Sequence, residues 1–232
     1  MLDSGATATR RAASPSVSMA SMHITILGGT GRIGRLIVDQ ARAAGHDLTL
    51  LVRDPQKVAP LADRVRLVPG WAGDPVAIAD AIRGADAVVS ALGPDGNDQR
   101  QVAILRAGME TLVAAMRDEG IGRIVNLSGA AVDTPGDHKP ALDRVASRIV
   151  RLVSGHVVAA KQAEFDVLRA SGLEWIAVRP ALVTDGPHTG VFRVGPDVLR
   201  PAARISRADI ADFMLAQAVE PTFANQAPFI CY

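Results

Sequence analysis

Short apolar runs alternate with stretches of helical period from Met22 onward. His23–Leu27 (HITIL), Asp47–Arg53 (DLTLLVR), Val65–Val68, Ala87–Ala91 (AVVSA), Arg123–Leu127 (RIVNL) and Trp175–Arg179 (WIAVR) have the length and β-branched content of buried strands. Between them, Ile33, Leu36, Ile37 and Ala41 fall on one face of a helix over 33–44. Pro75–Ile82 reads as a helix with Asp74 as its N-cap and Pro75 at its first position. Gln101–Glu119 forms a long helix whose inner face holds Val102, Leu105, Met109, Leu112, Val113 and Met116. After a loop with Pro135, Gly136 and Pro140, helical sequence runs to Ala170. Near the end, Ser206-x-x-Asp209 starts a helix with Ile210, Phe213, Met214 and Ala218 on its buried stripe. Strands that alternate with helices predict an α/β fold, a doubly wound parallel sheet of the Rossmann type. Its ligand belongs at the carboxyl ends of the strands.

Composition narrows the function. The chain has 232 residues, 25 basic and 24 acidic, for a net charge of +1. That balance gives no electrostatic reason to bind nucleic acid or an anionic membrane. One cysteine, Cys231, allows neither an internal disulfide nor a cysteine-based metal site, and the histidines form no ligand cluster; no metal is expected. No apolar run is long enough to span a bilayer. Residues 1–21 are rich in Ala, Ser and Thr and lack an apolar period. They read as a disordered extension, or as an upstream start with Met19 or Met22 as the working one. Residues 22–232 are then a single domain, cytoplasmic, monomeric or weakly self-associating, with a substrate-side region around 130–156 and 181–204.

Chemistry is written directly after the first strand, in Gly28-Gly29-Thr30-Gly31-Arg32-Ile33-Gly34. The glycines read either as Gly28, Gly31, Gly34 or as Gly29, Gly31, Gly34. Either way a tight turn brings backbone and a helix N-terminus to a pyrophosphate. A glycine pattern placed between a strand and an amphipathic helix is a dinucleotide signature. At the end of the second strand, Arg53 is the residue type that meets the 2′-phosphate of NADPH, with Arg32 in reach of the same phosphate. Asp54 is the counter-signal, although Asp54-Pro55 is also a helix start. Lys57 adds a charge nearby or is only a helix-end cation.

GGTGRIG, VRDPQK, SGLEWIAVRPALVTDGPHTG and RISRADIADFMLAQA together resemble the atypical short-chain dehydrogenase/reductases. Within them the chain is similar to the NAD(P)H-binding, NmrA-like branch that contains the biliverdin-IX-beta and flavin reductases. The likeness runs from about Met22 to the C-terminus. It implies an NADPH enzyme with a small acceptor pocket above the nicotinamide. It further implies that Thr30, Gly31, Arg32 and Ile33 line the pyrophosphate and that Arg53 meets the 2′-phosphate. Ala91, Leu92 and Gly93 would pack along the ribose and adenine, Ser128 would lie near the nicotinamide ribose, and Pro180, Leu182 and Val183 would wall the nicotinamide.

Three departures from that branch change the expected chemistry. Gly70-Trp71 stands where relatives have Gly-Asp at the adenine edge; Trp71 either stacks near the adenine or covers the following helix. Ser128-Gly129 lacks the second hydroxyl of relatives. Lys161 fits the lysine of the Tyr-x-x-x-Lys pair, but Val157 stands in the tyrosine position. Valine has no proton to give, and the single tyrosine is the distant Tyr232. Ser128 and Lys161 are therefore the residues expected to act on the reaction, with Lys161 on the nicotinamide ribose; a solvated surface charge is its alternative. His188 is the one histidine placed to touch an acceptor. The expected function is hydride transfer from NADPH to a small conjugated acceptor such as a flavin, tetrapyrrole or quinone. The rival is a non-catalytic NADP(H) sensor. A sugar-nucleotide epimerase would need the missing tyrosine and a longer substrate domain.

Overall fold

The structure, a computed structural model, describes residues 8–11, 21–56, 65–135, 137, 141–200 and 202–232, with 8–11 and 141–151 described by backbone alone. Lys57, Gly136 and Pro140 lie outside these residues. The chain runs β1 (Ala8–Arg11), β2 (His23–Leu27), α1 (Arg32–Ala43), β3 (Asp47–Val52), β4 (Val65–Pro69), α2 (Pro75–Ile82), β5 (Ala87–Ser90) and α3 (Gln99–Asp118). It continues through β6 (Arg123–Leu127), α4 (Ala141–Arg169), β7 (Glu174–Pro180), β8 (Leu182–Thr184), β9 (Val191–Gly195), β10 (Arg204–Ser206), α5 (Arg207–Val219) and β11 (Phe229–Cys231).

One nine-stranded sheet has the order β1-β9-β11-β7-β6-β5-β2-β3-β4. From β11 to β4 every neighbouring pair is parallel, and β9 and β1 add an antiparallel edge. The chain leaves β2 toward β3 and β4, then returns to the other side of β2 for β5, β6 and β7. That reversal between β2 and β5 opens a crevice at the carboxyl ends of the strands. β8 and β10 form a separate parallel ribbon beyond the end of β7.

Residues on the strands alternate between two apolar layers. Ile26, Val89, Val125 and Val178 pack with Ile37 and Val38 of α1 and with Ile210 and Met214 of α5. Leu27, Val88, Ile124 and Ala177 pack with Ile78 of α2, Met109 and Leu112 of α3, and Phe165 and Leu168 of α4. Both faces of the parallel sheet are covered, which is why its strands read as near-continuous apolar runs. No helix among the described residues is long and apolar enough to cross a membrane.

Three features differ from the sequence expectation. Within the segment expected to lack structure, Ala8–Arg11 pairs antiparallel with Val191–Val194 at the sheet edge. The helical sequence expected to run to Ala170 is α4, Ala141–Arg169, but it is broken by a kink at Ser154 (φ −132°, ψ 41°). The segment after β7 supplies β9, and with β11 it widens the sheet; strands of three to five residues carry too short an alternation to stand out.

Gly34 decides how closely α1 approaches the turn after β2. A side chain there would overlap the Gly28 carbonyl. Gly34→Ala should therefore destabilise the fold by about 1–3 kcal/mol, as overpacking against rigid backbone does. Gly93→Ala, where a Cβ meets nothing within 4 Å, should leave the melting temperature unchanged. Thermal unfolding of the two variants checks the contrast.

Candidate functional site

The glycine turn sets the site. Gly28 sits at φ +78°, and its carbonyl accepts the Gly31 amide at 2.9 Å. Since Gly34 packs on Gly28, while Gly29 meets the Leu50 side chain, the working triplet is Gly28, Gly31 and Gly34. α2, α3 and α5 are capped by the side chains of Asp74, Asp98 and Ser206. α1 starts at Gly31 with no side-chain cap and no acid in its first turn. Its first amides and the positive end of its dipole face the crevice, an arrangement that suits a pyrophosphate.

A cleft of about 380 Å³ opens at this point, at the switch between β2 and β5. Gly28, Thr30, Gly31, Arg32, Ile33, Arg53, Ala91, Leu92 and Gly93, all singled out in the sequence, line it. Trp71 lines it too, half exposed at 51%, with its ring lying on Gly73, where a Cβ would overlap the indole. The side chain thus covers the turn before α2 and also walls the cleft. Asp95, Gln101, Ile104 and Arg207 complete the wall and carried no sequence signal. Asp95 pairs with Arg53 at 2.7 Å across the mouth, both largely exposed. Such a pair contributes about 0–1 kcal/mol, so a phosphate can replace the carboxylate with little loss. The orphan amides of α1, the side-chain-free approach at Gly34 and the arginine at the end of β3 all fit an NAD(P)H-type dinucleotide.

Ser128, Lys161, Pro180, Leu182 and Val183 do not line this cleft. Ser128 follows cleft-lining Leu127, and its side chain is buried. Its Oγ, the Ser90 Oγ and both side-chain polar atoms of Asn126 have no hydrogen-bond partner among the described residues. Pro180 is buried at the end of β7, and Leu182 and Val183 belong to the β8–β10 ribbon, with Leu182 69% exposed. Lys161 is not a solvated charge. Its Nζ donates to the Leu92 carbonyl at 2.5 Å and pairs with the buried Glu164 at 2.8 Å. Burial pushes the Glu164 carboxyl above its ordinary range, and Lys161 only partly offsets this. Lys161 therefore touches the cleft through the backbone of Leu92.

Val157, four residues before Lys161, is half-buried. The hydroxyl of Tyr232 is committed elsewhere, donating to Asp209 Oδ2 at 2.5 Å. The buried Asp209 also accepts from the amides of Thr189 and Gly190. Burial would raise its pKa, but these bonds, led by that from Tyr232, outweigh it and hold the carboxyl low. Asp209 thus clamps the 188–190 loop to the start of α5, with the half-exposed His188 at 3.8 Å.

Two further devices position the surrounding loops, and neither has a local sequence signature. Asn97, ahead of α3, accepts from the amides of His156 and Val157 and donates to the Val153 carbonyl. It caps the second arm of α4 at the kink and ties the Gly93–Asp98 loop to that helix. Arg179, 2% exposed in β7, bonds both carboxylate oxygens of Asp137, at 2.6 and 2.8 Å, and the Ala227 carbonyl at 2.7 Å. Its guanidinium stacks 3.8 Å over Phe229. The loop after Ser128 is thereby held by a buried ion pair.

Burial alone would raise the Asp137 carboxyl, but the bonds from Arg179 and Thr134 more than compensate and depress it. A depressed carboxylate contributes stability above its unfolded pKa and loses it as pH falls through the folded value. Asp137→Asn should cost about 3 kcal/mol at pH 7, by leaving Arg179 short of its anion. The difference from wild type should shrink below about pH 4. Urea unfolding at both pH values measures this.

The profile of a family described as NAD(P)H-binding matches residues 28–221. The chain is 26% identical over 211 residues to a Bacillus subtilis (strain 168) protein named "Uncharacterized sugar epimerase YhfK", covering 89% of this chain and 92% of that one. It is 34% identical over 195 residues to the "3-diazoavenalumate denitrifying reductase" of a Streptomyces species, covering 78% of this chain and 62% of that protein. Among solved structures, ChuY, an anaerobilin reductase from Escherichia coli O157:H7, superposes with a TM-score of 0.74 at 20% identity, over 90% of this chain and 96% of that one; at this identity the likeness is one of fold. With the glycine turn, the open start of α1 and a match over residues 28–221, the chain belongs to the NAD(P)H-binding family of Rossmann-fold proteins.

Proposed function

We propose that the protein is an NADPH-dependent reductase of small conjugated acceptors that works without a side-chain proton donor. The observation that carries this reading is the pairing of a dinucleotide cleft with Val157 in the tyrosine position and Tyr232 held by Asp209. Relatives named reductases support the reaction class. When bound, the cofactor supplies a hydride, and a proton from water completes the two-electron reduction.

The chain's own residues then bind and orient. The first amides of α1 hold the pyrophosphate, and Arg53 exchanges Asp95 for the 2′-phosphate. Lysine has three donors, and the Leu92 carbonyl and Glu164 take two. With them Lys161 fixes the Leu92 backbone, which lines the cleft that takes the cofactor. An isolated ketone needs an acid at its developing oxyanion, typically worth about 10²–10⁴-fold. A flavin or tetrapyrrole spreads that charge over its conjugated system and is the better acceptor for this site.

Arg53→Ala should weaken NADPH about ten- to a hundredfold and leave NADH nearly unchanged, since one charge-assisted contact is lost. Calorimetric titration with both cofactors measures this; equal losses would remove Arg53 from the phosphate site. NADPH oxidation should be measurable with FMN, riboflavin or biliverdin and weak with simple ketones. Robust ketone reduction would contradict the absence of a proton donor, and cofactor binding without turnover of any acceptor would favour the sensor.

A further inference from the structure

Among the described residues, three arginines line the cleft, Arg32, Arg53 and Arg207, and the proposed cofactor engages two of them. Arg32 stands at the open start of α1, and Arg53 at the end of β3. Arg207 has no counterpart on the dinucleotide. It is the first residue of α5, and its side chain is only 17% exposed. A cation at a helix N-terminus opposes the dipole, and burying it sacrifices hydration, so this position demands an anion. In the structure that anion is Asp185, on the loop after β8, with its side chain 77% exposed.

The placement of the pair is informative. Arg53 and Trp71 follow β3 and β4, on one side of the switch point. Leu127 ends β6, and Asp185 follows the β8 ribbon that continues β7, on the other side. Arg207 therefore closes the end of the cleft away from the adenine side, where the acceptor stands if the reading above holds.

We infer that Arg207 reads an anionic substituent of the acceptor, a phosphate or a carboxylate, which takes the place of Asp185. The exchange is easy because Asp185 is mostly exposed and regains its hydration as it swings out, whereas the guanidinium keeps a partner throughout. Arginine suits either oxyanion, since its planar fork bonds two oxygens at once. The inference rests on the reductase reading and narrows it to acceptors that carry such a group.

Matched acceptors with and without the anion provide the test: FMN against riboflavin, and biliverdin against its dimethyl ester, each with saturating NADPH. The wild type should favour the anionic member of at least one pair by about tenfold or more in kcat/KM, the worth of one charge-assisted contact. Which pair responds separates phosphate from carboxylate. Arg207→Gln should collapse that ratio, and Asp185→Asn, an exposed and structurally mild change, should raise it. The NADPH dissociation constant, measured by calorimetry, should move little in either variant. Ratios unmoved by both variants would overturn the assignment while leaving the reductase reading intact. A loss of NADPH affinity in Arg207→Gln as large as the loss of turnover would assign Arg207 to the cofactor instead. No reduction of any of the four acceptors would overturn the reductase reading and this inference with it.

Discussion

The contact between Gly34 and the Gly28 carbonyl governs the rest of the site. Because no side chain separates them, α1 starts directly behind the turn that ends β2. Its uncapped amides then point into the crevice that the strand order opens between β2 and β5. Any residue larger than glycine would push the helix away from the sheet, and the anion site at its start would lose its geometry. A ligand completes what capping side chains complete at α2, α3 and α5.

Around that centre, the walls are fixed by polar groups that are buried and paired. Lys161, paired with Glu164, holds the Leu92 carbonyl, Arg179 and Asp137 hold the loop after Ser128, and Asp209 clamps residues 188–190, while the exposed Asn97 ties the Gly93–Asp98 loop to the kink in α4. Removing one partner of a buried pair leaves an uncompensated group, so these positions tolerate little change. The pairs whose carboxylate is exposed behave differently. Arg53–Asp95 and Arg207–Asp185 each set an arginine of the cleft against an exposed carboxylate. These are contacts that a ligand can replace at small loss. Rigid loops and exchangeable rim charges together suit a site that binds anionic molecules and orients them.

The parallel strands and the glycine turn were legible because both are local. A buried parallel strand announces itself as an apolar run, as in HITIL or RIVNL, and Asp74-Pro75 marks the start of α2 within a few residues. Arg53 was legible for the same reason, standing at the end of β3. Other parts depend on partners distant in sequence. Asn97 meets residues 153–157, Arg179 meets Asp137 and Phe229, and Arg207 meets Asp185. No period or short motif encodes such pairs. The expectation that Ser128, Lys161, Pro180, Leu182 and Val183 lie against the nicotinamide end of the cofactor rested on family likeness and not on a local pattern; in the structure Ser128 is buried after β6, and Lys161 bonds the Leu92 carbonyl and pairs with Glu164.

In the proposed reaction, hydride passes from a bound nicotinamide to a conjugated acceptor. An anaerobic single turnover with FMN tests it directly, comparing NADPH with NADPH deuterated at the transferred C4 position. Flavin bleaching should be stoichiometric, coincident with loss of the nicotinamide absorbance and slowed by about two- to fivefold on deuteration, within the range over which a modest barrier change alters a rate. Tight NADPH binding without any flavin bleaching, or bleaching unaffected by the label because the electrons come from elsewhere, would contradict it.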